Sequence, residues 1–190
     1  MVKIGIIDFV STFSKHVEEA VTKAGAQYDV FEHDADIETL KNYDGFIFTG
    51  SPDTVYEGGK QADPRIFDLN KPILGICYGH QLIHYMLGGE VRRSNTPEQG
   101  NFYFTESKPS ALFKDLPKIQ QVHMSHFDEV TKMAEGFENL GSTRRCMIGA
   151  TQNVKRKLYT VQFHPEAQGN DYGIEIYKNF MEIVENEKNH

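Results

Sequence analysis

The chain has 190 residues, a length that suits one domain with a sizeable core. Its 27 acidic against 20 basic residues give a net charge of −7, and no Lys/Arg stripe is present, so composition argues against a nucleic-acid partner. No apolar run approaches the roughly 18 residues needed to cross a bilayer, no signal-peptide core precedes the first strand, and two cysteines make no disulfide framework; the expectation is a cytoplasmic protein with free thiols and no membrane partner.

The hydrophobic period alternates along the first half. "VKIGIID" (2–8) reads as a strand. "SKHVEEAVTKAG" (14–25) carries Val17, Ala20, Val21 and Ala24 at helical spacing, with Ser14 as N-cap and Gly25 as stop. "YDVFEH" (28–33) is a second strand and "DIETLKNY" (36–43) a short helix. "GFIFTG" (45–50) and "PILGIC" (72–77) are strands, and "GHQLIHYML" (79–87) is the helix that follows. Strands alternating with helices predict a mostly parallel sheet with helices on both faces. The second half differs. "NFYFTES" (101–107), "IQQVHMSHFDEVTKM" (119–133), "FENLGST" (137–143), "CMIGATQN" (146–153) and "LYTVQFH" (158–164) read as strands with short connections, so a smaller antiparallel or mixed sheet is expected there. An amphipathic helix over 172–186 closes the chain, with Ile174, Tyr177, Phe180, Met181 and Val184 on its apolar face and "NEKNH" as a frayed end. With no linker or repeat, residues 1–190 are read as a single domain.

The chemistry concentrates at the fourth strand. "GICYG" (75–79) places Cys77 between two glycines where a buried strand becomes a helix, the form of a nucleophile elbow. The helix N-terminus points free N–H groups at the sulfur, which favours thiolate over thiol. The bland reading makes Cys77 a small buried hydrophobe, and the motif alone is weak evidence. A nucleophile also needs a base and an orienter. "YTVQFHPE" (159–166) offers both: Pro165 turns the chain away as His164 is presented, and Glu166 can reach back to one ring nitrogen. An oxyanion hole is expected from the loop after "FIFTG", where Gly50 and Ser51 lead into Pro52, together with the N–H of Tyr78. Cys146, in the apolar "CMIGAT", is expected to be a core thiol.

Taken together, "GICYGHQLI", "VQFHPE" and the Gly50-Ser51-Pro52 loop resemble the class I (triad) glutamine amidotransferases over nearly the whole chain. The resemblance implies a flavodoxin-like α/β fold of that family. It implies Cys77 as nucleophile attacking the side-chain amide of glutamine, His164 as base and acid, Glu166 as orienter, and Gln81 as a substrate-holding residue. Its oxyanion loop is usually Gly-Gly-Pro, and Ser51 stands at the second glycine here. "HMSHFDEV" (123–130) is similar to the corresponding segment of GMP-synthetase glutaminases, which implies Ser125 and His126 on the backbone groups of glutamine and Asp128 near the face that meets the synthetase. The other readings of that segment are a polar loop or a metal cluster of His123, His126 and Asp128; no further ligand pattern supports a metal. No ATP-pyrophosphatase signature occurs in the chain. The resemblance therefore implies no cofactor here, with ATP and Mg on a separate synthetase chain that uses the ammonia to convert XMP to GMP. Two alternatives stay open: a stand-alone cysteine hydrolase of γ-glutamyl compounds on the same fold, and a catalytically silent regulatory relative.

Overall fold

The computed structural model describes residues 1–190. The strands are β1 (Lys3–Asp8), β2 (Gln27–Glu32), β3 (Gly45–Phe48), β4 (Ile73–Ile76), β5 (Glu90–Glu106), β6 (Ile119–Lys132), β7 (Glu138–Ser142), β8 (Ala150–Asn153) and β9 (Leu158–Val161). The helices are α1 (Ser14–Lys23), α2 (Ile37–Leu40), α3 (Tyr78–Met86) and α4 (Gly173–Lys188). All nine strands join in one sheet of order β2-β1-β3-β4-β9-β8-β7-β5-β6. The first five strands in that order run parallel, and β8, β7, β5 and β6 continue the sheet antiparallel. The antiparallel half is thus an extension of the parallel half, joined where β9 pairs with β4 on one side and β8 on the other.

The continuous apolar runs of β3 and β4 are buried on both faces, as parallel strands under helices must be. One apolar cluster gathers Val17 and Val21 of α1 with Tyr177, Phe180 and Val184 of α4. On the other face, Ile7, Phe46 and Phe48 pack with Leu82 and Ile83 of α3. Strands β2 and β6 are the two edges of the sheet.

Three boundaries differ from expectation for identifiable reasons. Ser14 is the first helical residue and not the cap: its hydroxyl is drawn to Asp8 Oδ1 at 2.8 Å. Strand β5 begins at Glu90, eleven residues before the apolar "NFYF", because its polar first half is ordered by pairing with β6. Helix α4 continues through Lys188, whose ammonium meets Asp44 at 3.3 Å and the Met1 carbonyl at 3.1 Å, so residues 186–188 are helical and not frayed.

Candidate active site

Cys77 follows β4 with φ 53° and ψ −103°, a left-handed backbone that costs a non-glycine residue on the order of 1–3 kcal/mol. Hydrogen bonds on both sides hold it there, from Cys77 N–H to the Val161 carbonyl (2.9 Å) and from Gln81 N–H to the Cys77 carbonyl (3.1 Å). The flanking glycines are required by contact. A Cβ on Gly79 would lie 2.5 Å from the Phe48 carbonyl oxygen, and one on Gly75 would lie 2.7 Å from that of Gly79. The elbow is therefore wedged between β3 and α3, and its thiol faces the carboxyl ends of the parallel strands, where sites of open α/β sheets form.

His164 arrives from the end of β9. Its Nδ1 stands 2.7 Å from Glu166 Oε2, and the ring also engages the Cys77 sulfur. Burial pushes the imidazole pKa down, but the Cys77 sulfur and the Glu166 carboxylate outweigh burial and raise it to about 10. The H-P-E turn is braced from three sides. His164 N–H donates to the His123 carbonyl (2.9 Å), Asn170 Nδ2 donates to the carbonyls of His164 and Ala167 (both 2.7 Å), and the Tyr177 hydroxyl donates to Glu166 Oε1 (3.2 Å). Phe13 lies against the imidazole at 4.7 Å between ring centroids.

Gly50 and Ser51 flank the thiol and imidazole. A Cβ on Gly50 would sit 2.9 Å from His164 Cε1, so no other residue fits without displacing the ring. Neither residue has a left-handed φ, so serine at 51 is compatible with the loop. The Ser51 side chain is used locally, accepting from Asp53 N–H at 3.1 Å, while its own N–H has no protein acceptor. Tyr78, as the first residue of α3, has an N–H that the helix does not use. These two donors and the sulfur share one cavity of about 270 Å³, at the small end for ligand pockets, so it suits one small molecule.

Gln81, Ser125, His126 and Asp128 also line this cavity. The Ser125 carbonyl is 3.5 Å from the Cys77 sulfur, and its hydroxyl donates to Gln99. The His126 ring, however, is held on both nitrogens, by the Asp128 carbonyl and by Glu98, both at 2.7 Å, so only its backbone remains for a ligand. The Asp128 side chain is buried, and Tyr56 covers it with a 3.0 Å hydrogen bond to Oδ1. Nor do the three metal candidates converge, since the His123 ring turns to Phe13 and Asn101. Sequence reasoning missed Phe13, Tyr56, Tyr177 and Asn170. Cys146 is a core thiol as expected, and burial pushes its pKa up.

A thiol on a strained elbow, an imidazole fixed by a carboxylate and two residues with unused N–H groups, Ser51 and Tyr78, lining the same cavity define, on a doubly wound α/β sheet, an enzyme of cysteine-dependent acyl transfer. Comparison with known proteins makes the class narrower. Residues 5–184 match the family model for glutamine amidotransferase class-I, and the chain belongs to that family. It is 44% identical over 182 residues to the GMP synthase [glutamine-hydrolyzing] of Lactobacillus acidophilus, and 40% identical over 179 residues to that of Caldicellulosiruptor saccharolyticus. These alignments cover 94% and 93% of this chain but 35% of each relative, so the chain spans about a third of their length. Among solved structures, a candidate component of GMP synthase from Thermoplasma acidophilum superposes with a TM-score of 0.90 at 26% identity, covering 100% of this chain and 96% of that one. A glutamine amidotransferase from Thermotoga maritima shares the fold (TM-score 0.74, 20% identity, covering 99% of this chain and 84% of that one). No helix is long and apolar enough to cross a membrane.

Proposed function

We propose that this chain hydrolyses glutamine through Cys77 and passes the ammonia to an ATP-dependent synthetase on a separate chain that converts XMP to GMP. The carrying observation is the meeting of Cys77, His164 and Glu166 at one elbow in a chain up to 44% identical to glutamine-hydrolysing GMP synthases. The Cys77 thiolate attacks the γ-carbonyl carbon of glutamine. The resulting oxyanion accepts from the N–H groups of Ser51 and Tyr78. His164, held by Glu166, gives its proton to the departing nitrogen; the C–N bond breaks, ammonia leaves and a γ-glutamyl thioester remains. His164 then takes a proton from water as its oxygen attacks the thioester, and the C–S bond breaks to release glutamate. No cofactor enters these steps; ATP and Mg belong to the synthetase.

Gln81, the backbone of Ser125 and His126, and Asp128 line the same cavity and bind the amino-acid end of glutamine. Since Asp128 is buried, the synthetase-facing residue beside it is Phe127, 53% exposed with the Arg93 guanidinium 5.0 Å from its ring centroid. The test is glutamine turnover by the chain alone, then with an XMP-aminating synthetase, XMP and ATP. Turnover that rises with all three supports the coupled reading. Full turnover alone, unchanged by the synthetase, favours a stand-alone hydrolase, and none under either condition favours a silent relative.

A further inference from the structure

The cavity wall contains a buried pair that the thiol chemistry leaves unused. Glu98 on β5 lies opposite His126 on β6, just past a break in the strand register. Its side chain is fully buried and does not line the cavity. Glu98 Oε1 is 2.7 Å from His126 Nε2, and Oε2 accepts from the Thr143 hydroxyl at 2.6 Å. On the other side of the ring, Nδ1 is 2.7 Å from the Asp128 carbonyl. A carbonyl only accepts, so Nδ1 carries a proton, and the Nε2–carboxylate contact holds a second one.

The same Asp128 carbonyl accepts from Gln81 Nε2 at 2.9 Å, and that nitrogen also reaches Gln162 Oε1 at 3.2 Å. Both hydrogens of the Gln81 amide are thereby used within the protein. Its Oε1 takes no hydrogen bond from the protein, although Gln81 lines the cavity. The orientation of one acceptor atom in the site thus depends on a chain of contacts, Glu98 to His126 to the Asp128 carbonyl to Gln81. Cys146 also lies near, and the ligand atoms of Glu98, His126 and Cys146 fall within 4.8 Å of one another. Both ring nitrogens of His126 and both oxygens of Glu98 already have hydrogen-bond partners, which favours a brace over a metal site.

We propose that Glu98 is a positioning residue for the amino-acid end of the glutamine pocket, acting through His126 and the Asp128 carbonyl to aim Gln81 Oε1 at the substrate ammonium. This rests on the glutamine reading above. Glutamine at position 98 can donate to Nε2 while Nδ1–H stays on the carbonyl, so Glu98→Gln preserves the brace and Glu98→Ala removes it.

The experiment measures kcat and KM for glutamine, together with the rate at which iodoacetamide alkylates Cys77. Iodoacetamide has no amino-acid end and reports on the triad alone. Glu98→Ala should raise KM about tenfold with kcat changed less than about threefold, while alkylation of Cys77 keeps its wild-type rate. Glu98→Gln should return KM to within about twofold of wild type. An unchanged KM in Glu98→Ala, a Glu98→Gln variant as impaired as alanine, or alkylation that falls in step with turnover overturns the proposal. Should the alanine variant not fold, Glu98→Asp, one carbon short of the ring, takes its place; a KM equal to that of Glu98→Gln overturns the brace. Absence of glutamine turnover in the wild type, both alone and with the synthetase, XMP and ATP, strikes the proposed function itself, whereas wild-type turnover with an unmoved variant KM strikes only Glu98.

Discussion

Glu166 meets His164 at 2.7 Å across a single proline, Oε2 against Nδ1, while its other oxygen is held by Tyr177 of the last helix. The carboxylate cannot rotate away, so Nδ1 keeps the proton and Nε2 is left for Cys77. The site is therefore tied to the last helix as well as to the strand ends. A carboxylate that orients and a base that moves the proton contribute unequally. Glu166→Ala should leave roughly a hundredfold more glutamine turnover than His164→Ala, and the double variant Cys77→Ala/His164→Ala should be no worse than either single change. Initial-rate measurements on the four variants check this; additive losses would mean the residues do not work as a unit.

Gly50 is fixed by its neighbour, since a methyl there would overlap the His164 ring at 2.9 Å. Gly50→Ala should lower kcat by about a hundredfold through a displaced imidazole, with the thermal midpoint nearly unchanged. Wild-type kcat in this variant would show that the loop can yield.

The imidazole shift sets an alkaline limit. His164 is raised from about 6.5 to about 10, so the charged pair and its contribution to stability are fully present below pH 6.5 and lost as pH rises through about 10. Glutamine turnover should hold across neutral pH and fall through that upper value. His84 works in the opposite sense. Burial lowers it to about 4, its Nδ1 accepts from Ala134 N–H (3.0 Å), and Nε2 donates to Thr151 (2.9 Å). Its contribution is present above about pH 6.5 and lost as pH falls through about 4, worth on the order of 3 kcal/mol. Thermal melts should drop steeply over that acid window, and His84→Gln should flatten the drop.

Val10 has φ 66° at 61% exposure, a left-handed conformation poorly suited to a β-branched residue. Val10→Gly should raise the thermal midpoint by a few degrees, because relieved strain of about 1–3 kcal/mol exceeds the roughly 0.5–1 kcal/mol entropy cost of glycine. A lower midpoint would show that the valine methyl groups contribute packing despite their exposure.

The parallel half and its elbow were legible because buried strands, helical spacing and the paired glycines act locally. The inward turn of His126 and Asp128 was also legible, since Val122, Met124 and Val130 share their alternation on β6. Reading the segment for its polar residues left unnoticed that the Asp128 side chain turns inward while Phe127 beside it is exposed. Glu98 could not be found from sequence: it sits alone in a polar stretch, and its partner is supplied only by strand register. Tyr177 was legible as an apolar-face residue, but its bond to Glu166 depends on how α4 docks.

The central claim is that Cys77 forms the acyl-enzyme with glutamine. An electrophilic glutamine analogue, followed by peptide mass mapping, tests it most directly. The account predicts a single adduct on Cys77, slowed by excess glutamine, slowed further in His164→Ala, and none on the buried Cys146. An adduct on Cys146 with Cys77 untouched, or undiminished glutamine hydrolysis by Cys77→Ala, would contradict it.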